Sequence, residues 1–487
     1  MMNKITVSAA VEIAESIKPV KLEHTVNIEN AAGHILAKSV YAKYSVPIAP
    51  LSAMDGFSVI TSQTTSASAE NKITLTDFKR VNTGNAIDVK YDAVIKVEDV
   101  EFTGEKPETI TISEPAEKGS NIRITGEDIS EGRLILAEGT KIRPFDIGAI
   151  AAYGVTEVFV KSLKIGVIPT GTELITAGQT PKAGDVVESN TIMIAAYLKE
   201  FGADIRRYAP VDDEKNAIAA SLKKALAEND IVLISAGSSM GSKDFTSSVI
   251  EELGELKFHG VFMKPAKPSM LGVINGKPVF GLPGFPLSAQ TTIREIVTPL
   301  LNKWGWFRYT ESVDVPAVSG GNFKSDSELD EFSFAAVGNV NEKYVALPQL
   351  RASSVQMNGI RANAIVRISR GIKKINAGDE ITAVINVPLA DLEKTILIAG
   401  RNSAAVEKLV EKAALAGFSI RCGAFDETAA AELLEKKYCH AVCTSKDFIL
   451  PDGIKSVKIP EDEILVFRED MEIEPRLSAL LTFAGSE

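Results

Sequence analysis

LKIGVIPTGTEL, residues 163–174, and DIVLISAGSSMGSKDF, residues 230–245, decide the fold. Each opens on a continuous apolar run and closes on a turn rich in Gly, Pro or Ser, the pattern of a strand buried on both faces. Segments of helical length follow: SNTIMIAAYLKEFGA (189–203), KNAIAASLKKALAEN (215–229) and DFTSSVIEELG (244–254), with ADIRRYAPV (203–211) as a further strand. Strands alternating with helices predict a parallel, doubly wound sheet covered on both faces, over residues 163–306. Ligands of such sheets bind beyond the carboxyl ends of the strands. The loops Pro169–Glu173, Gly237–Asp244 and Leu282–Pro286 all fall at such ends.

Upstream, Val7 to Ile17 has helical spacing, and IRPFDIGAIAAYGVTEVFV (142–160) reads as a helix returning to a strand. These frame a linker domain of residues 1–46 plus 141–162. Short β-branched runs such as KITLTDF and DAVIKVEDVEF mark a β-rich inserted domain over 47–140. Downstream, SVDVPAV, EKYVALPQL, AIVRISRGI and DEITAVI indicate a small β-barrel-like domain at 307–388. KTILIAG then opens an extra α/β tail at 389–487. The fold class is α/β plus β, multidomain, with the doubly wound domain at its centre.

The 487 residues exceed what one core usually holds. A net charge of −11 argues against a general nucleic-acid binder, which needs a basic face. It leaves room for a phosphorylated small ligand held by a local lysine cluster. No apolar run reaches the roughly 20 residues of a membrane span, and the start reads as an amphipathic helix without a signal peptide. Three cysteines, Cys422, Cys439 and Cys443, make no disulfide framework and point to a reducing cytoplasm. Cys439-His440 and Cys443 fall short of a closed zinc site.

Five segments concentrate chemistry. SAMDG places Asp55 on a tight loop before a strand, and NIRITGEDI gathers Arg123, Glu127 and Asp128. IPTGTEL carries Glu173 just after a strand end, and the Ser235–Ser242 turn precedes Asp244. MKPAKP supplies Lys264 and Lys267 before LPGFPLSA closes another strand. A Gly/Ser-rich turn lets backbone N–H groups approach an anion, and lysines add point charges. Carboxylates from Asp55, Asp128, Glu173 and Asp244, if they converge, repel one another unless a hard cation such as magnesium sits among them.

In order, SAMDG, NIR-x-x-GEDI, PTG-x-EL, SAG-x-S-x-G-x-x-DF, MKPAKP and GLPG-x-P-x-SA resemble the molybdopterin molybdenumtransferase family, the MoeA and gephyrin E-domain type, over about residues 4–388. The resemblance implies an elongated homodimer that hydrolyses adenylylated molybdopterin, inserts molybdate or tungstate, and releases AMP, with Mg2+ required. It is also the basis for expecting an upstream molybdopterin adenylyltransferase as a partner. Carried over by position, Asp55, Asp128, Glu173 and Asp244 look like the catalytic acids, with Asp55, Glu173 and Asp244 on the metal. Thr83 and Arg123 look like contacts of the first two domains with the substrate. Ser239, Lys264, Lys267, Ser288 and Ser353 look like phosphate and oxyanion contacts, and Pro283 and Pro286 like rigid loop prolines.

This chain departs from the family pattern in places. Ala266 and Phe285 stand where PGKP and PGNP have Gly and Asn, and Ala236 replaces a glycine of the Ser-rich turn. EFSF at 331–334 lacks the arginine of the family's E-F-x-R pattern, and Arg351 is the candidate substitute. These changes also motivate a different reading, a non-catalytic pterin-binding scaffold or sensor. The tail resembles a shortened periplasmic-binding-protein-like module, either a sensor or a structural cap.

Overall fold

The computed structural model describes residues 4–19, 23–161, 163–236, 245–306, 312–450 and 452–485. The chain forms two compact units, Lys21–Ser162 and the set Met1–Val20 with Leu163–Glu487.

In the larger unit, a six-stranded sheet runs in the order Asp204–Arg207, Lys164–Pro169, Ile231–Ala236, Lys277–Pro283, Met270–Ile274, Glu255–His259. The first four strands are parallel and the last two antiparallel. The sheet is therefore mixed where the alternation predicts a parallel one. The reason is local. Asn275 and Gly276, at φ of 51° and 78°, form a two-residue hairpin, too short for the crossover that parallel neighbours require.

One face packs Ile168, Val232, Ile234 and Val279 against Ile218, Leu222 and Ala225 of the Lys215–Glu228 helix and Val249 and Ile250 of Phe245–Leu253. Alternate residues Val167, Leu233 and Phe280 are also fully buried, so both faces are covered. Each such side chain stabilises the unit by roughly 1.5–3 kcal/mol.

The Val7–Glu15 helix, capped by Thr6, also belongs to this unit. That differs from its expected grouping with the linker domain. Its anchors are non-local: Ile5 bridges to Val261, and the Trp304 indole donates to the Ile17 carbonyl at 2.9 Å.

The small β-domain is a closed barrel. Asp330–Val340 pairs with both Lys343–Pro348 and Ala364–Ile368, and Val313–Ser319 with Glu380–Ile385 completes the ring. The tail forms a five-stranded sheet in the order Ser419–Ala424, Thr395–Gly400, Ala441–Ser445, Glu463–Arg468, Ile454–Ile459. Its core is not its own: Ala336, Val340, Val345 and Leu347 of the barrel pack into one cluster with Ile396, Ile398, Val442 and Leu465. All three cysteines are buried and free, and no metal-binding cluster of His, Cys, Asp or Glu occurs among the described residues.

Among its described residues the smaller unit has three hydrophobic clusters, the smallest formed by Val81, Ile87, Tyr91 and Val94. Phe57, Val59, Ala93, Ile110 and Ile112 fill the β-rich part. Ile28, Leu36, Ile142, Ile150 and Val158 form another, under the pair Glu23–Asn27 and Glu157–Lys161. The glycine of SAMDG is a packing requirement, since a Cβ on Gly56 would lie 2.0 Å from the Ile95 carbonyl oxygen.

Candidate active site

A cavity of about 890 Å³ opens in the larger unit, between the carboxyl ends of Lys164–Pro169, Ile231–Ala236 and Lys277–Pro283 and the barrel. Glu173, Lys264, Lys267, Pro283, Pro286, Ser288 and Ser353 all line it. Residues spread over 180 sequence positions thus reach one concave surface at the strand ends, where ligands of such sheets bind.

The cationic side comes from MKPAKP and the barrel. Lys264 sits on the two-residue strand Met263–Lys264, paired to Asp330 and Glu331. The chain then turns sharply at Ala266, which holds φ of 81° with its carbonyl accepting from both the backbone N–H and the hydroxyl of Ser269. Lys267 follows. The Lys4 ammonium lies beside that of Lys267, and this contact holds Lys4 below the usual lysine value. Sequence reasoning missed Lys4, because only the Ile5–Val261 bridge brings it here. Arg351 lines the barrel side, donating from Nε and Nη2 to the two oxygens of Glu331 at 2.5 and 2.6 Å. Glu331 is only 3% exposed, and the pairing raises the Arg351 pKa above its ordinary value.

The carboxylate side lies at the end of Lys164–Pro169. Burial first, and the charge of Glu173 second, raise the Asp213 carboxyl above the usual range. Sequence reasoning missed Asp213, although it sits just past the strand ADIRRYAPV. Asn190, also missed, donates to the Gly284 carbonyl at 2.7 Å and to the Ser235 hydroxyl at 3.3 Å. Its own oxygen is buried beside the cavity without a partner among the described residues. Glu188, by contrast, is saturated by the Thr191 N–H and hydroxyl and by Arg207, which marks it as structural.

Pro283 and Pro286 bracket Phe285, whose ring is 58% exposed at the cavity wall. Ser288 is buried at 4% exposure, and the Leu287 N–H donates to the Ser353 carbonyl, joining this loop to the barrel.

The remaining candidates divide. Asp55, Thr83, Arg123 and Asp128 lie in the smaller unit, all exposed. The Thr83 N–H and hydroxyl both donate to Asp55, at 2.6 and 2.9 Å, and hold its carboxyl low. Arg123 pairs with Glu127 at 3.2 Å, and the Tyr153 hydroxyl donates to Asp128 at 3.0 Å. Asp244 and Ser239 lie outside the described residues.

The donor set suits magnesium in one respect. The charge of Glu173 reaches the Asp213 carboxyl, and such a cation takes one or two carboxylates plus substrate phosphate.

The chain is similar to known proteins over much of its length. Residues 5–154 match the MoeA N-terminal region (domain I and II), and residues 166–303 a probable molybdopterin binding domain. A putative molybdopterin biosynthesis protein of Methanocaldococcus jannaschii is 31% identical over 296 residues, covering 57% of this chain and 74% of that protein. A molybdopterin molybdenumtransferase of Haemophilus influenzae is 28% identical over 386 residues, covering 75% and 94%. The crystal structure of a molybdopterin biosynthesis MoeA protein from Pyrococcus horikoshii aligns with a TM-score of 0.66 at 29% identity, over 79% of this chain and all of that one.

Proposed function

Because the chain belongs to the MoeA family of molybdopterin biosynthesis proteins, we propose that it is a molybdopterin molybdenumtransferase acting on adenylylated molybdopterin. The observation that carries this reading is that Lys264, Lys267, Arg351, Ser288, Ser353 and Glu173 all line one cavity.

Lys264 and Lys267 neutralise the charge of phosphate and oxyanion, and Arg351 stands at the same cavity with its Nε and Nη2 engaged by Glu331. Ser288 and Ser353 offer hydroxyl donors at the same wall. The oxygen of Asn190, without a partner among the described residues, is placed to accept a hydrogen bond from the substrate. Glu173, which lines the cavity, would hold Mg2+ together with substrate phosphate, and the ion would supply Lewis-acid neutralisation of the phosphoanhydride. Asp244, by its position in the family motif, orients or deprotonates the attacking oxygen. Water attacks a phosphorus of the phosphoanhydride, the bridging P–O bond breaks to give AMP and the pterin monophosphate, and the dithiolene sulfurs take molybdate or tungstate as displaced oxo groups leave as water.

Homodimer formation, a cytoplasmic location and substrate supply by a molybdopterin adenylyltransferase belong to the same proposal. Three buried free thiols fit a reducing compartment. The test is AMP release by purified protein given magnesium, adenylylated molybdopterin and molybdate, with tungstate in parallel. Release that falls at least a hundredfold in Glu173→Gln and Asp244→Asn supports the reading. Tight ligand binding without AMP, indifferent to magnesium, overturns it in favour of a scaffold.

A further inference from the structure

We propose that Arg421, in the tail, is a positioning residue for the cavity, and that the tail is thereby a working part of the site. The proposal rests on the cavity reading above and concerns the short Gln356–Arg361 helix, which touches the site at several points.

At the amino end of that helix, the Gln356 carboxamide lines the cavity and donates to the Ser189 hydroxyl at 2.8 Å, joining the barrel side to the α/β domain. In its middle, Asn358 is only 1% exposed and donates to the carbonyls of Leu350 and Ala352, at 2.8 and 3.2 Å. Those two residues flank Arg351 and lead into Ser353, so Asn358 sets the loop that carries both oxyanion contacts. Gly359 lies against Leu287: a Cβ there would sit 3.1 Å from the leucine side chain.

The carboxyl end of the same helix is held by the tail. Arg421, on the strand Ser419–Ala424, donates from Nη1 to the carbonyls of Ile360, Arg361 and Ala362, at 2.9, 3.1 and 3.3 Å. Carbonyls at a helix end lack intrahelical partners, and a cation there offsets the helix dipole. Six residues make less than two turns, a length that does not persist without such outside support. Arg421 forms no ion pair with a carboxylate among the described residues, and burial keeps its pKa below the ordinary arginine value. Its main function is to hold the helix. The Gln349 carboxamide adds a second tie, donating to the Cys422 carbonyl at 3.0 Å. The chemistry thus runs from the tail strand through the helix to the Arg351 loop.

The experiment uses the full chain with Arg421→Ala and Arg421→Lys, the second retaining a cation for the helix carbonyls. Hydrogen exchange of the amides at 356–362 needs no ligand; exchange in Arg421→Ala should rise at least tenfold, with Arg421→Lys recovering most of the protection. Molybdate and AMP affinities, by calorimetry, should fall about tenfold for molybdate in Arg421→Ala, less for AMP, and the thermal midpoint of the full chain should stay within a few degrees. Unchanged exchange at 356–362 overturns the proposal, as does faster exchange with unchanged molybdate affinity. A wild-type chain that binds neither ligand refutes the cavity reading on which the proposal rests, and the exchange result then still tells whether Arg421 holds the helix.

Discussion

Replacing either member of the Arg351–Glu331 pair should move oxyanion affinity in opposite directions. Glu331 is 3% exposed and Arg351 about two-fifths exposed, and two short hydrogen bonds join them. In Arg351→Gln the carboxylate keeps only the Asp326 N–H at 3.2 Å and turns one cavity wall negative. Breaking a fully buried pair costs about 3–5 kcal/mol; the exposure of the guanidinium reduces this to about 2 kcal/mol. A unit charge about 5 Å from a bound oxyanion, at an effective dielectric of about 40, is worth about 1.7 kcal/mol. Molybdate should therefore bind more than tenfold weaker to Arg351→Gln. In Glu331→Gln the guanidinium fork is released and the competing charge removed, so molybdate should bind several-fold tighter. The double variant should recover most of the stability lost in Arg351→Gln. The assay is a double-mutant cycle read by denaturant unfolding and by calorimetric titration of molybdate. Both single variants shifting affinity the same way, or stabilities adding within about 0.5 kcal/mol, would refute the reasoning.

Burial holds His440 down to about 4, with its Nδ1 accepting the Leu397 N–H. Above pH 6.5 neither folded nor unfolded histidine carries the extra proton; between 6.5 and 4 only the unfolded chain takes it up. Stability should thus fall as pH falls through that window, by about 3 kcal/mol at its end, and His440→Asn should flatten the pH dependence of the unfolding midpoint. Ala266 holds a left-handed φ of 81°, so Ala266→Gly should raise stability by about 0.5–1 kcal/mol in thermal unfolding, less than the full left-handed penalty because glycine is freer when unfolded. Phe285 presents an exposed ring to the cavity, so Phe285→Ala should weaken AMP by about 1–2 kcal/mol while leaving ribose 5-phosphate unchanged; equal losses for both would exclude stacking.

Strand-end loops were legible because continuous apolar runs such as IVLIS leave little choice of conformation, and a turn residue marks where each run stops. Lys264, Lys267, Glu173 and Ser288 lay in or next to such loops, so motif order and physical chemistry agreed on them. The mixed edge of the sheet was legible in principle, since VINGKPVF carries the Asn-Gly pair of a two-residue hairpin. The helix–strand alternation upstream gives no hint that the pattern ends at this pair. Lys4 beside Lys267 and Asn190 at the cavity were not legible, because tertiary contact that no spacing encodes brings each there. The same limit hid the shared core of barrel and tail: KTILIAG reads as a strand, and nothing in it names Leu347 as its neighbour.

The route from Arg421 to Arg351 gives a physical reason for the tail. Where the resemblance places an arginine on a barrel strand, position 334, this chain has Phe334 on the Asp330–Val340 strand. A strand residue is fixed by the ladder on both sides, and Phe334 is paired to Ile365 in that way. Arg351 sits instead in a loop, with no ladder to hold it. Its backbone is set by Asn358 beneath it, and through that helix by Arg421. Moving a cation from strand to loop trades a fixed position for one that needs external support, and the tail supplies it. Returning arginine to the strand, as Phe334→Arg with Arg351→Ser, should therefore make molybdate binding insensitive to Arg421→Ala. If binding remains as sensitive as before, the tail acts on the cavity by some route other than this loop.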